Sequence, residues 1–522
     1  MRATLRRSCD ACAKAKHSCD LRSPRCSRCI KRGVKCNYVN EPLTAASVHA
    51  PPPPARHHHH HAKAGIVRAS PLSTMNAART LAAPPLHAPP VMSSSPTSLD
   101  RRSDSMGLSA PADAAFDPFD SYPPTRLPRI HVQRLMQHFL STIAFQYYPL
   151  DLNMESNPFV VAWWPLALAD PALFHVSIQT ASLDEELRAR RGFPISELLM
   201  ADSVSLVRRK IADSSLAVQD ETMNAVVTLA AIEHGKGNFA ASRMHIDGVK
   251  RMVNVRGGIS QVKRTSPLTA RMVPWVSLLV TGTPQFPVQD DNGLGDGLSS
   301  IPQWRLAPPP AQSENDLFRG LGIDDDDVIN VLSRLRYVFQ PSKQAQLTNA
   351  DLHDLTCFVV HKILLLPEEA PPGGGGAARC SNNSRSAVSR CLRYAMILYM
   401  LVLHGTTYYS HMHLLMAVER QLREQIEALA NSGCCSPLDD GRGGGGTASA
   451  LQVWAVSVGM TATAEVQEDA CAWFVEQGRV LTRGLDLATW GDVLARLRSV
   501  LWSEASEPLF RRQWTRLLET MT

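Results

Sequence analysis

The sequence predicts three parts: a small cysteine-rich α domain over residues 5–40, a disordered linker over 41–126, and a large all-α body over 127–522. Three observations predict this division. Six of the twelve cysteines fall within 28 residues, Cys9 to Cys36, with lysines and arginines filling the gaps between them. The stretch that follows is dominated by Pro, Ala, Ser and His and lacks apolar periodicity. Beyond it, apolar residues recur at helical spacing and strand-like alternation is scarce.

The cysteine spacing is Cys9-x2-Cys12-x6-Cys19, then six residues, then Cys26-x2-Cys29-x6-Cys36, so the second half repeats the first. A C-x2-C turn brings two sulfurs to one ion, and a third cysteine one short helix further on can return to it. Structural zinc takes four ligands in a tetrahedron. Three thiolates per half leave each ion one short: two ions need eight bonds and six cysteines supply six. Two thiolates that bridge both ions close the gap. His17 lies in the basic stretch of the first repeat, and no histidine is placed to complete two separate tetrahedra. The spacing therefore favours a binuclear zinc cluster. A disulfide framework belongs to a secreted chain, and a redox pair to a single C-x2-C in a strand–helix setting. An iron–sulfur site fits the symmetric repeat less well. Leu21, Ile30, Val34 and Tyr38 are too few apolar residues to fold this segment alone. Metal must supply the folding free energy, on the order of 10 kcal/mol.

Charge is concentrated in the same place. Residues 1–40 hold eleven Lys or Arg against Asp10 and Asp20, a balance of +9, while the whole chain carries +6, so the remainder sums to −3. A basic segment on a near-neutral body points to a polyanionic partner.

At all six cysteines, and at Pro24 two residues before Cys26, the segment resembles the fungal Zn2Cys6 binuclear zinc cluster family. The resemblance implies two zinc ions per cluster with Cys9 and Cys26 shared. One ion would take Cys9, Cys12, Cys19 and Cys26, the other Cys9, Cys26, Cys29 and Cys36. It implies double-stranded DNA as the partner, read at CGG-type half-sites by the C-terminal end of the helix containing "AKAKHS". Lys16, four residues after Cys12, matches the family's principal base-reading lysine, with Lys14 and His17 as adjacent candidates. Lysine donates to guanine O6 and N7 in the major groove. Ala13, Ala15 and Ser18 depart from the family pattern, which commonly has Arg or Lys there. Fewer phosphate contacts are then expected from this helix, with Arg6, Arg7 and the second helix "SRCIKRG" compensating. The resemblance further implies a nuclear, DNA-binding regulator of RNA polymerase II genes. Some relatives with this cluster style control secondary-metabolite gene clusters.

The linker contains "PPPPARHHHHHAKA" and "LAAPPLHAPPV", and its histidine run, His57 to His61, reads as low complexity. Many family members place a coiled coil after the cluster, but no a/d heptads follow Tyr38. A homodimer on paired half-sites, formed through the body, and a monomer on a single half-site both stay open.

The body opens with "HVQRLMQHFLSTIAFQYY", where Val132, Leu135, Met136, Phe139, Leu140 and Ile143 form one stripe that Pro149 stops. Asp170 and Pro171 begin the next long helix as N-cap and first-turn proline. "DETMNAVVTLAAIEHG" is apolar nearly all round, which predicts a central helix. "SRMHIDGVKRMVNVRGG" stops at Gly257–Gly258, and Ser266 with Pro267 starts another helix. Loop-rich insertions are expected near 285–320, 370–388 and 432–449, the last two marked by glycine runs. "IDDDDV" at 323–328 reads as negative charge at a helix N-terminus. The pieces "YYPLD", "NPFVVAWWPLALADPALFHVSI", "HIDGVKRMVNVRGGI" and "LTARMVPWVSL" resemble the helical regulatory domain that follows many of these clusters. The resemblance spans roughly residues 5–40 and 128–290, with weaker helical similarity beyond. It implies contacts with the transcription machinery or co-regulators and no catalytic site.

Other classes find no support. "MRATLRRSCD" has no apolar h-region, so a secretory signal is not expected. The run "YAMILYMLVL" at 394–403 is too short to span a bilayer and reads as a core helix, so no membrane partner is expected. H-E-x-x-H, G-x-S-x-G and G-x4-G-K-[ST] motifs are absent, and "GLGDGL" at 293–298 lacks a strand–helix setting. The chain is read as no enzyme. His175, His234 and His245 are expected to be structural, and Cys357, Cys380, Cys391, Cys434, Cys435 and Cys471 lack ligand spacing. A strong chelator is expected to unfold the N-terminal segment and abolish DNA binding. Metal-free protein that still bound DNA would contradict this.

Overall fold

A computed structural model describes residues 10–17, 27–36, 121–320, 323, 325–367, 379–405, 407, 412–431, 445–465 and 467–521. The chain divides into two compact units, Met1–Phe116 and Asp117–Thr522. In the first, the described segments hold two short helices, Asp10–Lys14 and Ser27–Lys31. The linker expected over 41–126 lies outside the described residues as far as position 120. Residues 121–126 pack onto the body: Pro123 is buried, Tyr122 stacks on Phe174 at 5.7 Å, and Arg126 pairs with Asp202 at 2.6 Å. Their proline-rich composition hides an anchoring ring and an ion pair that only the fold reveals.

The second unit is helical throughout its described residues, apart from turns and an isolated bridge between Val288 and Leu298. Its caps follow the local sequence. The Asp170 carboxylate accepts the Leu173 N–H at 2.9 Å and starts Pro171–Ala189, and Asp325 accepts from Asp327 and Val328 to start Asp326–Val338. Gly257 and Gly258, both at positive φ, end Phe239–Val255. Ser266 and Pro267 start the helix Pro267–Thr281 as expected, with the serine side chain engaged elsewhere. Its hydroxyl donates to the Asp220 carboxylate, which also takes the Arg256 guanidinium, so a tertiary ion pair has claimed the side chain.

All three segments read as loop-rich insertions are partly helical. Arg379–His404 and Gly445–Thr463 begin inside two of them, and Pro302–Leu306 and Gln312–Gly320 lie within the third. Glycine and serine lower helix propensity, but each of the first two is continuous with a strongly apolar helix that tertiary packing supports. The window Ala387–His404 is long and apolar enough by composition to cross a membrane, longer than the ten-residue run read from sequence. Sixty-one per cent of it is buried, with Ala395 to Met400 fully so, which makes it a core helix of the body.

Two hydrophobic cores result. One gathers residues between Val132 and Phe286, the other residues between Trp275 and Leu517. The helix Pro267–Thr281 serves both: Met272, Val273, Val276 and Val280 enter the first, while Trp275, Leu278 and Leu279 enter the second. Asp220–Gly235 is buried from Thr222 to His234, as its all-round apolar pattern predicts. Buried Asn157 fixes the loop before Phe159, donating to the Tyr148 and Asp151 carbonyls at 3.2 and 2.7 Å and accepting the Phe159 N–H at 2.9 Å.

A charge cluster pins the seam between the cores. Asp354, on Asn349–Leu365, accepts from Arg271 Nε at 2.8 Å and from Lys263 Nζ at 2.9 Å. Burial alone would raise its pKa, but the two cations overcome that and hold it below the ordinary carboxylate value. Asp354→Asn leaves both cations facing a neutral amide. We expect a loss of about 2 kcal/mol at pH 7, below the cost of a fully buried pair because both cations are partly exposed. A depressed folded pKa contributes stability above the unfolded value near 3.8, and that contribution fades as pH falls through the folded value. Urea unfolding of the two proteins should therefore differ at pH 7 and converge in acid. A difference that stayed constant with pH would contradict the ion-pair account.

Candidate metal cluster and nucleic-acid interface

The two short helices of the first unit are the same structure built twice. Each begins directly after a cysteine, Cys9 or Cys26, and each carries the next cysteine inside it. Shifting the sequence by the repeat superimposes Cys12 on Cys29 and Lys16 on Gly33. The hydrogen bonds superimpose as well: His17 N–H donates to the Cys12 carbonyl at 2.9 Å, and Val34 N–H to the Cys29 carbonyl at 3.2 Å. Both bonds close the six-residue loop of a Schellman cap, whose penultimate residue must be left-handed. Lys16 and Gly33 hold that position, at φ 51° and 63°.

This cap turns the chain back as each helix ends, the geometry a third cysteine needs to return to the metal. Cys12 and Cys29 are 2% and 1% exposed, and Cys36 is partly buried against them. Cysteines from both halves thus share one small core, and their chemistry suits zinc. Among the described residues no group of three metal-ligating side chains stands together. Cys9, Cys19 and Cys26 lie outside the described residues, so at most two ligands of either ion are described.

Cations cover the outside. Lys14, Lys16 and His17 are exposed at the end of the first helix, and Arg28, Lys31, Arg32 and Lys35 around the second. None of these makes an ion pair among the described residues. Arg6 and Arg7 lie outside them. The sequence reading missed the left-handed backbone at Lys16. The signal was available, because the repeat places Lys16 opposite a glycine.

In the body, the histidines and cysteines behave as packing groups. Burial lowers the pKa of His175, whose Nδ1 lies 2.7 Å from the Pro171 carbonyl, and lowers that of His234 and His245. Burial raises the Cys357 thiol and pushes Cys391 up to about 12, so both stay protonated. The side chains of Cys380, Cys434 and Cys435 lie outside the described residues.

Comparison with known proteins agrees with both parts. Residues 7–45 match the fungal Zn(2)-Cys(6) binuclear cluster domain, and residues 134–297 match the fungal specific transcription factor domain. A Zn(2)-C6 fungal-type transcription factor of Aspergillus oryzae, aoiH, is 59% identical over 34 residues. That match covers 6% of this chain and 9% of the relative's length. No solved structure matches. The chain therefore carries a fungal Zn(2)-Cys(6) binuclear cluster domain, a domain that binds two zinc ions, followed by a fungal-specific transcription factor domain.

Proposed function

We propose that this protein is a zinc-dependent, sequence-specific DNA-binding regulator of transcription by RNA polymerase II, acting in the nucleus. The observation that carries the reading is the unpaired cationic surface built on a cysteine frame, with the base-reading candidates at the exposed end of its first helix. Zinc would be held by Cys9, Cys12, Cys19, Cys26, Cys29 and Cys36, with Cys9 and Cys26 shared between the two ions. Lys16 would read guanine in a CGG-type half-site, with Lys14 and His17 beside it and Arg6 and Arg7 on the phosphates. The helical body would receive signals and contact co-regulators or the transcription machinery. Genes of secondary metabolism are the proposed targets, by analogy with relatives of this cluster style. No catalytic step is assigned to the chain.

The left-handed backbone at Lys16 supports its role. A non-glycine residue there costs about 1–2 kcal/mol, and the equivalent position in the other half is glycine. A lysine kept at that cost fits a side chain needed for contact.

Site selection from random duplexes, with the full chain and residues 1–126 side by side, tests the reading. CGG triplets should be enriched. Regularly paired triplets that appear only with the full chain would mean that the body makes a homodimer, and single triplets a monomer. Lys16→Ala should weaken CGG binding by about 1–3 kcal/mol and relax guanine preference. Arg7→Ala should weaken all sequences alike and flatten the slope of log K against log salt by about 0.9. Intact half-site preference in Lys16→Ala would overturn the assignment. Lys16→Gly separates fold from contact. It should tighten zinc binding in a competition titration by roughly fivefold, about 1 kcal/mol, because zinc binding and folding are coupled, yet still lose guanine preference.

A further inference from the structure

A cavity of about 570 Å³ opens in the second unit, at the seam between the two cores. Its deep wall is aromatic. Tyr147, Tyr148 and Phe159 come from the first core, Trp275 from the second, and His353 from the helix Asn349–Leu365. Tyr147 stacks on Phe159 at 5.2 Å, and His353 lies between Tyr148 and Trp275 at 5.7 and 5.6 Å. The rim is exposed and polar, with Ser156, Ala162, Thr348 and Asn349 around the mouth.

Two buried wall atoms lack a protein partner, His353 Nε2 and the Trp275 indole N–H, and of these the indole is an obligate donor. The indole N–H groups of Trp163, Trp304, Trp454 and Trp514 each donate to a protein acceptor at 2.8–2.9 Å. Trp275 is 3% exposed and lines the cavity, but its indole N–H meets no protein acceptor. Trp502 also lacks one and does not line this cavity. A buried donor left unmade is costly, and an acceptor placed in the cavity removes that cost.

Two charged side chains line the cavity, Asp151 and Arg271; Asp151 is half-buried and makes no ion pair among the described residues. Arg271 is committed to Asp354. Burial lowers His353 to about 4 and pushes Tyr147 and Tyr148 up to about 12, so all three are neutral near pH 7. A concave, mostly apolar volume of several hundred Å³ with a few convergent polar groups is the form of a small-molecule site.

We propose that this cavity binds a neutral, planar aromatic small molecule of about 20–30 non-hydrogen atoms, with a carbonyl or ring-nitrogen acceptor facing the Trp275 indole N–H. Such a ligand touches side chains of both cores and so clamps the seam that Arg271, Lys263 and Asp354 pin from the side. The proposal concerns the helical body alone and holds whether or not the N-terminal unit reads CGG sites.

The test uses the full chain without DNA and the neutral planar dye Nile red, which carries a carbonyl acceptor and brightens in apolar sites. A saturable one-to-one rise in emission is expected, with a raised melting temperature. Trp275→Phe keeps the ring and removes the donor, and should weaken binding roughly tenfold, the equivalent of one hydrogen bond. Ala162→Trp and Asn349→Trp fill the mouth from two different helices at exposed positions, and should abolish binding while leaving the unliganded melting curve in place. The second blocking variant decides the matter should the first fail to fold. Absence of saturable binding, or undiminished binding in a folded blocking variant, overturns the site. Unchanged affinity in Trp275→Phe overturns the role given to the indole.

Discussion

The helix Pro267–Thr281 is the constraint on which the body depends. Its residues from Met272 to Val280 are buried on every side, so it cannot lie on a single core and leave one face in water. Two cores form because this helix has two apolar faces to cover. The same arrangement places Trp275 on one side and Met272 on the other. It also brings Arg271 over to Asp354, from a helix far along the chain. The seam between the cores is thus held by apolar packing through a shared helix and by a partly buried ion cluster. The aromatic cavity opens where those two devices meet.

The N-terminal unit obeys a different physics. It has too little apolar surface to define a core, so coordination geometry replaces packing. The repeat of cysteine, short helix and left-handed cap solves the same local problem twice. The helix sets the spacing of two sulfurs, and the cap returns the chain toward the third. Glycine solves the cap in one half without strain, whereas lysine occupies it in the other. That difference between otherwise matching halves distinguishes the half that carries the proposed base reader from the half that serves the frame.

Much of this was legible in residue order. Local rules found Asp170, the acidic helix start at 323–328 and Gly257–Gly258 because caps depend on neighbours within one turn. The central helix was legible in its all-round apolar pattern. The start at Ser266 and Pro267 was legible too, but not that the serine hydroxyl serves an ion pair between Asp220 and Arg256. Residues 121–126 were assigned to the linker because a single tyrosine and arginine leave no periodic signal. The helices that begin inside the glycine-marked segments draw their support from packing, which local propensity does not contain.

The sequence by itself determined the metal chemistry, because ligand count and spacing are local and tetrahedral coordination admits few solutions for six cysteines. It also determined the sign and position of the charge that implies a polyanionic partner, and the helical class of the body. Tertiary structure alone decided that one helix joins two cores and that Asp354 meets Arg271 and Lys263. It alone decided that a tryptophan whose indole N–H lacks a protein acceptor lines a cavity. Those are contacts between residues distant in the chain, set by which faces the packed helices turn toward one another, and no local pattern encodes them.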